Sequence, residues 1–485
     1  MVEANGRAPS RLPTGIPGLD EVLQGGLHPG GVYIVIGAPG AGKTVLANQL
    51  AFAHARAGGR VVYATLLAET HGRLLSFLET MSFFEAARVG DQLSYLNGYT
   101  ALEAGGLAGL LQLVRDVVRA RNASLLVLDG MLPARTLAES EVAYKKFVQQ
   151  LQTWIEVVGC TVVILSSARE SELRPEYTMV DGIVELEYAR AGFRRVRELT
   201  VRKLRGSAFR EGAHSYAITG DGVRVYPRIE GVAGDRPRGD DAARLSFGRP
   251  ALDRLIGGGL ARCSCTLVLG ANGSGKTTLG LHFLAAGLDA GEPVLHVSFY
   301  EDPRAVLDNA DRLGLRFAER QGPGKLDLRW LPAAELSLDR VGYEILDAIR
   351  QTGARRVLLD GLDAFQRSTY PERLPAFLSA FLQELRALEV TTVLTSEAPR
   401  LLVSDFQTPF PGLSAVVDNL FLLLQAERDG ALRRSLVIVK TRGRAHFDGA
   451  ASFTIGPDGL VFGAAPGATP SPRRRRAGPR GGRRR

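Results

Sequence analysis

The sequence predicts an α/β fold occurring twice in one chain, each copy a mostly parallel central sheet with helices on both faces. Three observations predict it. The chain repeats itself with a period near 233 residues. Within each repeat, short β-branched runs alternate with stretches that are apolar at helical spacing. The short runs are continuously apolar, as strands buried on both faces are.

The repeat is read from landmarks that recur in the same order. LPTGIPGLDEVLQGGL answers to LSFGRPALDRLIGGGL, pairing Asp20 with Asp253 and Gly25-Gly26-Leu27 with Gly258-Gly259-Leu260. VYIVIGAPGAGKT answers to CTLVLGANGSGKT, with Gly37 lying 233 residues before Gly270. SLLVLDG answers to RVLLDG, with Asp129 and Asp360 separated by 231. KLRGS from Lys203 answers to KTRGR from Lys440, separated by 237. A period this long marks a duplicated domain, not a solenoid.

In the first copy VYIVIG, RVVYATL, SLLVLDG and TVVILSS read as strands. TVLANQLAFAHARAG and LAGLLQLVRDVVRARN read as helices between them. The crossovers are expected to be right-handed. The expected boundaries are an N-terminal extension over 1–10, a first domain over 11–226, a linker over 227–243, a second domain over 244–462 and a tail over 463–485. The linker is rich in Pro, Gly and charge. The tail holds too little apolar surface to offset its ordering entropy, so disorder is expected there.

Composition agrees with two folded domains. The chain has 485 residues, 45% hydrophobic and 23% charged, enough for more than one core. No run of 18 apolar residues suggests a membrane-spanning helix. The N-terminus lacks the apolar stretch of a secretory signal. Three cysteines cannot make a disulfide framework, so a reducing, cytoplasmic compartment is expected. Cys263 and Cys265 form a C-x-C with no second Cys or His pair nearby, and read as strand-edge residues rather than a metal site. The net charge is +9, and eight arginines with no acid fall in Arg473–Arg485. The folded body is therefore nearly neutral.

Two glycine-rich loops carry the chemistry. Gly37, Ala38, Pro39, Gly40, Ala41, Gly42, Lys43 and Thr44 form one. Gly270, Ala271, Asn272, Gly273, Ser274, Gly275, Lys276 and Thr277, followed by Thr278, form the other. Each fits G-x-x-x-x-G-K-[ST] between a predicted strand and a predicted helix, the context a phosphate-binding P-loop needs. Glycines let successive N–H groups face phosphate oxygens, and the helix N-terminus adds partial positive charge. Lys43 and Lys276 are expected to bridge the β- and γ-phosphates, and Thr44 and Thr277 to reach Mg²⁺.

Asp129 and Asp360 each end an apolar strand. An acid there faces the ligand crevice and can hold the metal's water shell, or it caps the following helix. After the second strand, Glu69 and Glu301 correspond at an offset of 232. Each reads equally as the base for an attacking water or as an acid at the start of the next helix.

Together these residues resemble the KaiC family of RecA-like P-loop ATPases, with RadA and hexameric helicases as more distant relatives. The resemblance covers roughly 11–226 and 244–462. It implies tandem RecA-like domains that bind ATP with Mg²⁺. It also implies a homo-oligomeric ring, usually a hexamer, with nucleotide held between neighbouring copies. Lys203 and Arg205, and Lys440 and Arg442, are then the cations each copy offers to its neighbour's nucleotide. On the residues alone they are also readable as a charged strand end.

Two departures stand out. The family's adjacent glutamates become Ala68-Glu69 and Tyr300-Glu301, so slow hydrolysis is expected. The neighbouring Ser-Thr phosphoacceptor pair of the clock protein becomes Ser414-Ala415, leaving Ser414 as the one candidate phosphoacceptor and no sequence reason for a clock role. The leading expectation is a regulatory or mechanical ATPase with regulatory protein partners. The others are an autokinase acting on Ser414, a RadA-like protein binding nucleic acid through the arginine tail, and a nucleotide-gated scaffold without turnover.

Overall fold

The computed structural model describes residues 11–66, 71–167, 175–191, 194–231, 243–322, 324–332, 337–367, 372–398, 413–428, 430–443 and 445–463. Contacts divide the chain into two compact units. One is Met1–Asp235 with Ala333–Asp347 and Phe365–Phe381, and the other is Arg236–Pro332 with Ala348–Ala364 and Leu382–Arg485.

The first unit is built on nine strands: β1 (Val32–Gly37), β2 (Val61–Thr65), β3 (Leu93–Asn97), β4 (Leu125–Asp129), β5 (Thr161–Ser166), β6 (Gly182–Ala191), β7 (Arg194–Leu204), β8 (His214–Thr219) and β9 (Gly222–Tyr226). They form one sheet in the order β3-β2-β4-β5-β1-β6-β7-β8-β9. The sheet is parallel from β3 to β6, and β6 to β9 pair antiparallel.

Alternation along β1 explains why its sequence is apolar without a break. Tyr33 and Val35 join a core with Leu46, Leu50 and Phe52 of the helix Lys43–Arg56. Ile34 and Ile36 point the other way, into a core with Val114 of the helix Tyr99–Arg121 and Phe147 and Leu151 of the helix Glu141–Val158. Helices thus cover both faces, and each such side chain contributes about 1.5–3 kcal/mol by leaving water. The helix Glu141–Val158 starts where Ser140 accepts a hydrogen bond from the Ala143 amide at 3.1 Å and stops at Gly159, whose φ of 73° is left-handed.

The second unit opens with a short antiparallel pair, β10 (Arg244–Leu245) and β11 (Leu260–Ala261). Its main strands are β12 (Cys265–Gly270), β13 (Val294–Ser298), β14 (Leu326–Trp330), β15 (Arg356–Asp360), β16 (Thr391–Glu397), β17 (Asn419–Arg428), β18 (Ala431–Thr441), β19 (Ala450–Gly456) and β20 (Gly459–Phe462). Their order, β14-β13-β15-β16-β12-β17-β18-β19-β20, repeats that of the first sheet strand for strand. The fold is α/β with two mostly parallel sheets. Among the described residues no helix is long and apolar enough to cross a membrane.

In both sheets the chain leaves the central strand for a helix and returns three strands away. The carboxyl ends of the parallel strands therefore share one rim, where ligands bind in open α/β sheets.

Candidate functional site

The glycine-rich loops join that rim to a helix in both copies. Gly37 and Gly270 end β1 and β12, and the lysine and threonine that close each motif open the helices Lys43–Arg56 and Lys276–Asp289. Gly42 and Gly275 have φ of 96° and 102°, a conformation only glycine adopts freely. A Cβ on either would meet an isoleucine, Ile218 at 2.4 Å or Ile455 at 2.8 Å. Ala38, Pro39 and Gly40 are exposed, as are Asn272 and Gly273, whereas Ala41, Ser274 and Thr278 are buried. The Tyr216 hydroxyl anchors the first loop by donating to the Ala41 carbonyl.

The two lysines adopt one pose. Lys43 Nζ donates to the carbonyls of Gly37 at 2.7 Å and Ala38 at 3.0 Å. Lys276 Nζ donates to Gly270 at 3.0 Å and Ala271 at 2.9 Å. Burial lowers both ammonium groups below their ordinary range. Asp129 opposes this for Lys43, and Asp360, Glu397 and Asp363 oppose it for Lys276.

Thr44 Oγ1 donates to Asp129 Oδ2 at 3.1 Å, and Thr277 Oγ1 donates to Asp360 Oδ2 at 2.8 Å. Both aspartates are buried at the ends of β4 and β15. A hydroxyl and a carboxylate this close are hard oxygen donors that fit a Mg²⁺ ion whose remaining positions are water and phosphate. Among the described residues no three His, Cys, Asp or Glu side chains gather as an all-protein metal cage. Beside the first loop lies a cleft of about 590 Å³ lined by Lys43, Thr44, Tyr99, Asp129, Leu132 and Leu137.

Glu301 lies two residues before the helix Pro303–Arg312, and Asp302 between them caps it, accepting from the Ala305 amide at 2.9 Å. Glu301 is thus free of the capping role. Burial raises its carboxyl, the charges of Asp360 and Asp302 add to the rise, and its Oε2 is buried with no hydrogen-bond partner among the described residues. Glu69 lies outside the described residues.

Three of the four motif cations hold backbone carbonyls of their own copy, and Arg442 holds a carboxylate. Lys203 Nζ donates to Tyr177 and Thr178, both at 3.0 Å, and Lys440 Nζ to Ser414 at 2.9 Å and Val417 at 2.7 Å. Arg205 donates to Thr178 at 2.7 Å and Met179 at 3.2 Å, and Arg442 to Asp418 at 3.3 Å. Both arginines are about half exposed. Ser414 is half-buried, in the short helix Leu413–Val416.

Several residues around the loops escaped the sequence reading. Tyr63 donates to Asp129 Oδ2 at 2.8 Å, and Thr395 holds Asp360 through Oδ1. Arg434 on β18 donates to the Gly273 carbonyl at 3.2 Å. Tyr300 donates to Asp363, whose other oxygen accepts from the Glu397 amide at 3.3 Å. Tyr63, Thr395 and Arg434 lie on neighbouring strands, and only the strand order brings them to the loops.

The family model described as "ATPase: KaiC" matches residues 12–230 and again 245–466. The "Circadian clock protein KaiC3" of Synechocystis sp. is 25% identical over 477 residues, covering 96% of this chain and 94% of that protein. The "Circadian clock oscillator protein KaiC" of a Picosynechococcus species is 26% identical over 466 residues, covering 93% of this chain and 89% of that protein. With one copy of the family's domain matched to each nine-stranded sheet, the chain belongs to the KaiC family of ATPases.

Proposed function

We propose that the chain is a regulatory ATPase that binds and hydrolyses Mg-ATP at two sites per subunit. The observation that carries the reading is the duplicated set of loop lysine, helix threonine and strand-end aspartate, assembled at matching distances in both copies. In this reading the backbone of 37–44 and of 270–277 wraps the phosphates. Lys43 and Lys276 neutralise them, and Thr44 with Asp129 and Thr277 with Asp360 hold Mg²⁺. Glu301, and Glu69 in the first copy, orient and deprotonate the attacking water.

Lys203 and Arg205, and Lys440 and Arg442, complete the neighbour's site in a homo-oligomeric ring, a hexamer by family resemblance. Their partners here are mostly carbonyls, weak holds that a γ-phosphate can displace. The domains are 11–226 and 244–462, and the compartment is the cytoplasm. The regulatory role follows the relatives, which are named as clock proteins.

Phosphate release and particle mass, measured together with and without ATP, test this. Wild type should form a ring and release phosphate. Lys43→Ala combined with Lys276→Ala should cut turnover at least about 100-fold, because the charge on the transferring phosphoryl group then goes unmet. Unchanged turnover in the double variant sinks the reading. A ring that forms on ATP and releases nothing would make the protein a nucleotide-gated scaffold, and label arriving on Ser414 would make it an autokinase.

A further inference from the structure

One aspartate recurs ahead of the sixth strand of both sheets and joins two parts of the site. Asp181 precedes β6 and Asp418 precedes β17, separated by 237 residues, the same spacing as the K-x-R-G motifs. Each exchanges backbone hydrogen bonds with the residue that opens the loop-bearing strand. Asp181 N donates to Val32 O at 2.8 Å, and Asp418 N donates to Cys265 O at 2.9 Å. The side chain returns the contact, with Asp181 Oδ2 accepting from Val32 N and Asp418 Oδ2 from Cys265 N, both at 2.9 Å.

The second carboxylate oxygen faces the motif arginine. Arg205 Nη1 lies 3.7 Å from Asp181 Oδ1, and Arg442 Nη1 lies 3.3 Å from Asp418 Oδ1. The Arg205 amide also donates to the Asp181 carbonyl at 2.7 Å. In the second copy Arg386 braces the same carboxylate at 3.0 Å. The arginines remain 53% and 49% exposed, so donors are left over on each guanidinium.

We propose that Asp181 and Asp418 are positioning residues for the arginine that each subunit offers to its neighbour's γ-phosphate, tying that arginine to the strand that carries the subunit's own phosphate loop. The inference rests on the shared-site reading above. An unrestrained arginine samples many rotamers, and that freedom must be lost before it can act. A carboxylate that holds one edge of the guanidinium removes part of that cost beforehand, and a preorganised charge acts without reorganisation during the reaction. An aspartate suits both tasks because one oxygen serves the strand amide and the other the cation. Asparagine keeps an acceptor for the amide but turns an NH2 toward the guanidinium. Asp→Asn therefore separates the two roles.

The test measures kcat and KM for ATP in the full chain, with the second copy silenced by Lys276→Ala. Asp181→Asn should lower kcat about tenfold with KM within about twofold, since the arginine acts on charge that develops in the transition state. The melting temperature should stay within about 2 °C of its parent. In an Arg205→Ala background Asp181→Asn should slow nothing further, because the pair acts as a unit. Asp181→Ser, which keeps a hydroxyl for the Val32 amide, repeats the test if the asparagine variant folds poorly. The mirror set is Asp418→Asn and Arg442→Ala in a Lys43→Ala parent. If the aspartate variants slow turnover equally with and without the arginine, they act through the strand alone and the proposal falls. If Arg205→Ala leaves kcat intact, the shared-site reading falls first and takes the proposal with it.

Discussion

Glu301 shows how local environment shifts the protonation of one side chain. Burial raises its carboxyl above the ordinary glutamate range, and the negative charges of Asp360 and Asp302 push it the same way. A carboxylate whose protonation lies nearer to neutral is the better base, and Oε2 has no hydrogen-bond partner among the described residues. The sign of the pH effect follows. The deprotonated form that the proposed base role requires exists above the raised pKa and is lost as pH falls through it. In a Lys43→Ala parent, the acid limb of kcat should therefore sit at higher pH than an unperturbed glutamate would give. Asp302→Asn, which removes one repelling charge but still caps the helix, should move that limb down. Glu301→Gln should cost about 100-fold in kcat. A limb that ignores both substitutions would remove Glu301 from the base role.

At the scale of elements, the same turn separates the proposed base from the helix cap within two adjacent acids. Asp302, not Glu301, satisfies the first turn of Pro303–Arg312, with Pro303 supplying the preset φ at its start. Asp302→Ala should thus cost about 1 kcal/mol in denaturant unfolding. Glu301→Gln should leave stability within about 0.5 kcal/mol. The reverse pattern would hand the cap to Glu301.

From sequence, Glu301 stands out by its match to Glu69, but base and helix-start acid remain equal readings, since it sits where a strand gives way to a helix. The glycine loops were legible because their chemistry is contiguous: Gly37 to Thr44 is one strand end, one turn and one helix start. Asp129 and Asp360 were legible because each ends an apolar run. Tyr63, Thr395, Arg434, Asp181 and Asp418 were not, because their partners are set by which strands lie side by side. A run of residues does not reveal that β6 pairs with β1 rather than with β5.

At the scale of the whole molecule, duplication doubled the site but not its surroundings, and the compact units do not follow the repeat. The first unit recruits Ala333–Asp347 and Phe365–Phe381, residues from the second repeat. Within that unit Ile229 is buried and Glu230 is ion-paired, although both fall in the stretch expected as a linker. Arg373 is the hub. It donates to both oxygens of Glu230 at 2.8 Å and to both oxygens of Asp339 at 2.8 and 2.6 Å. Asp339 is fully buried and also accepts from the Ile229 amide at 3.3 Å. Burial pushes the Asp339 carboxyl up while Arg373 pulls it down. At Glu230 burial again pushes upward, but the Arg373 hydrogen bonds and charge outweigh it and hold the carboxyl below its ordinary range. Two acids beside one guanidinium are stable as ions only while that guanidinium is present. Arg373→Ala should therefore destabilise the first unit by about 3 kcal/mol, the cost of leaving buried carboxylates unpaired. Replacing Arg373, Asp339 and Glu230 together by apolar residues of similar volume should restore most of that loss. Denaturant unfolding of the full chain checks both. A single-substitution loss below about 0.5 kcal/mol would mean that water already reaches these charges, and that apolar packing around Ile229 alone holds the recruited segments in place.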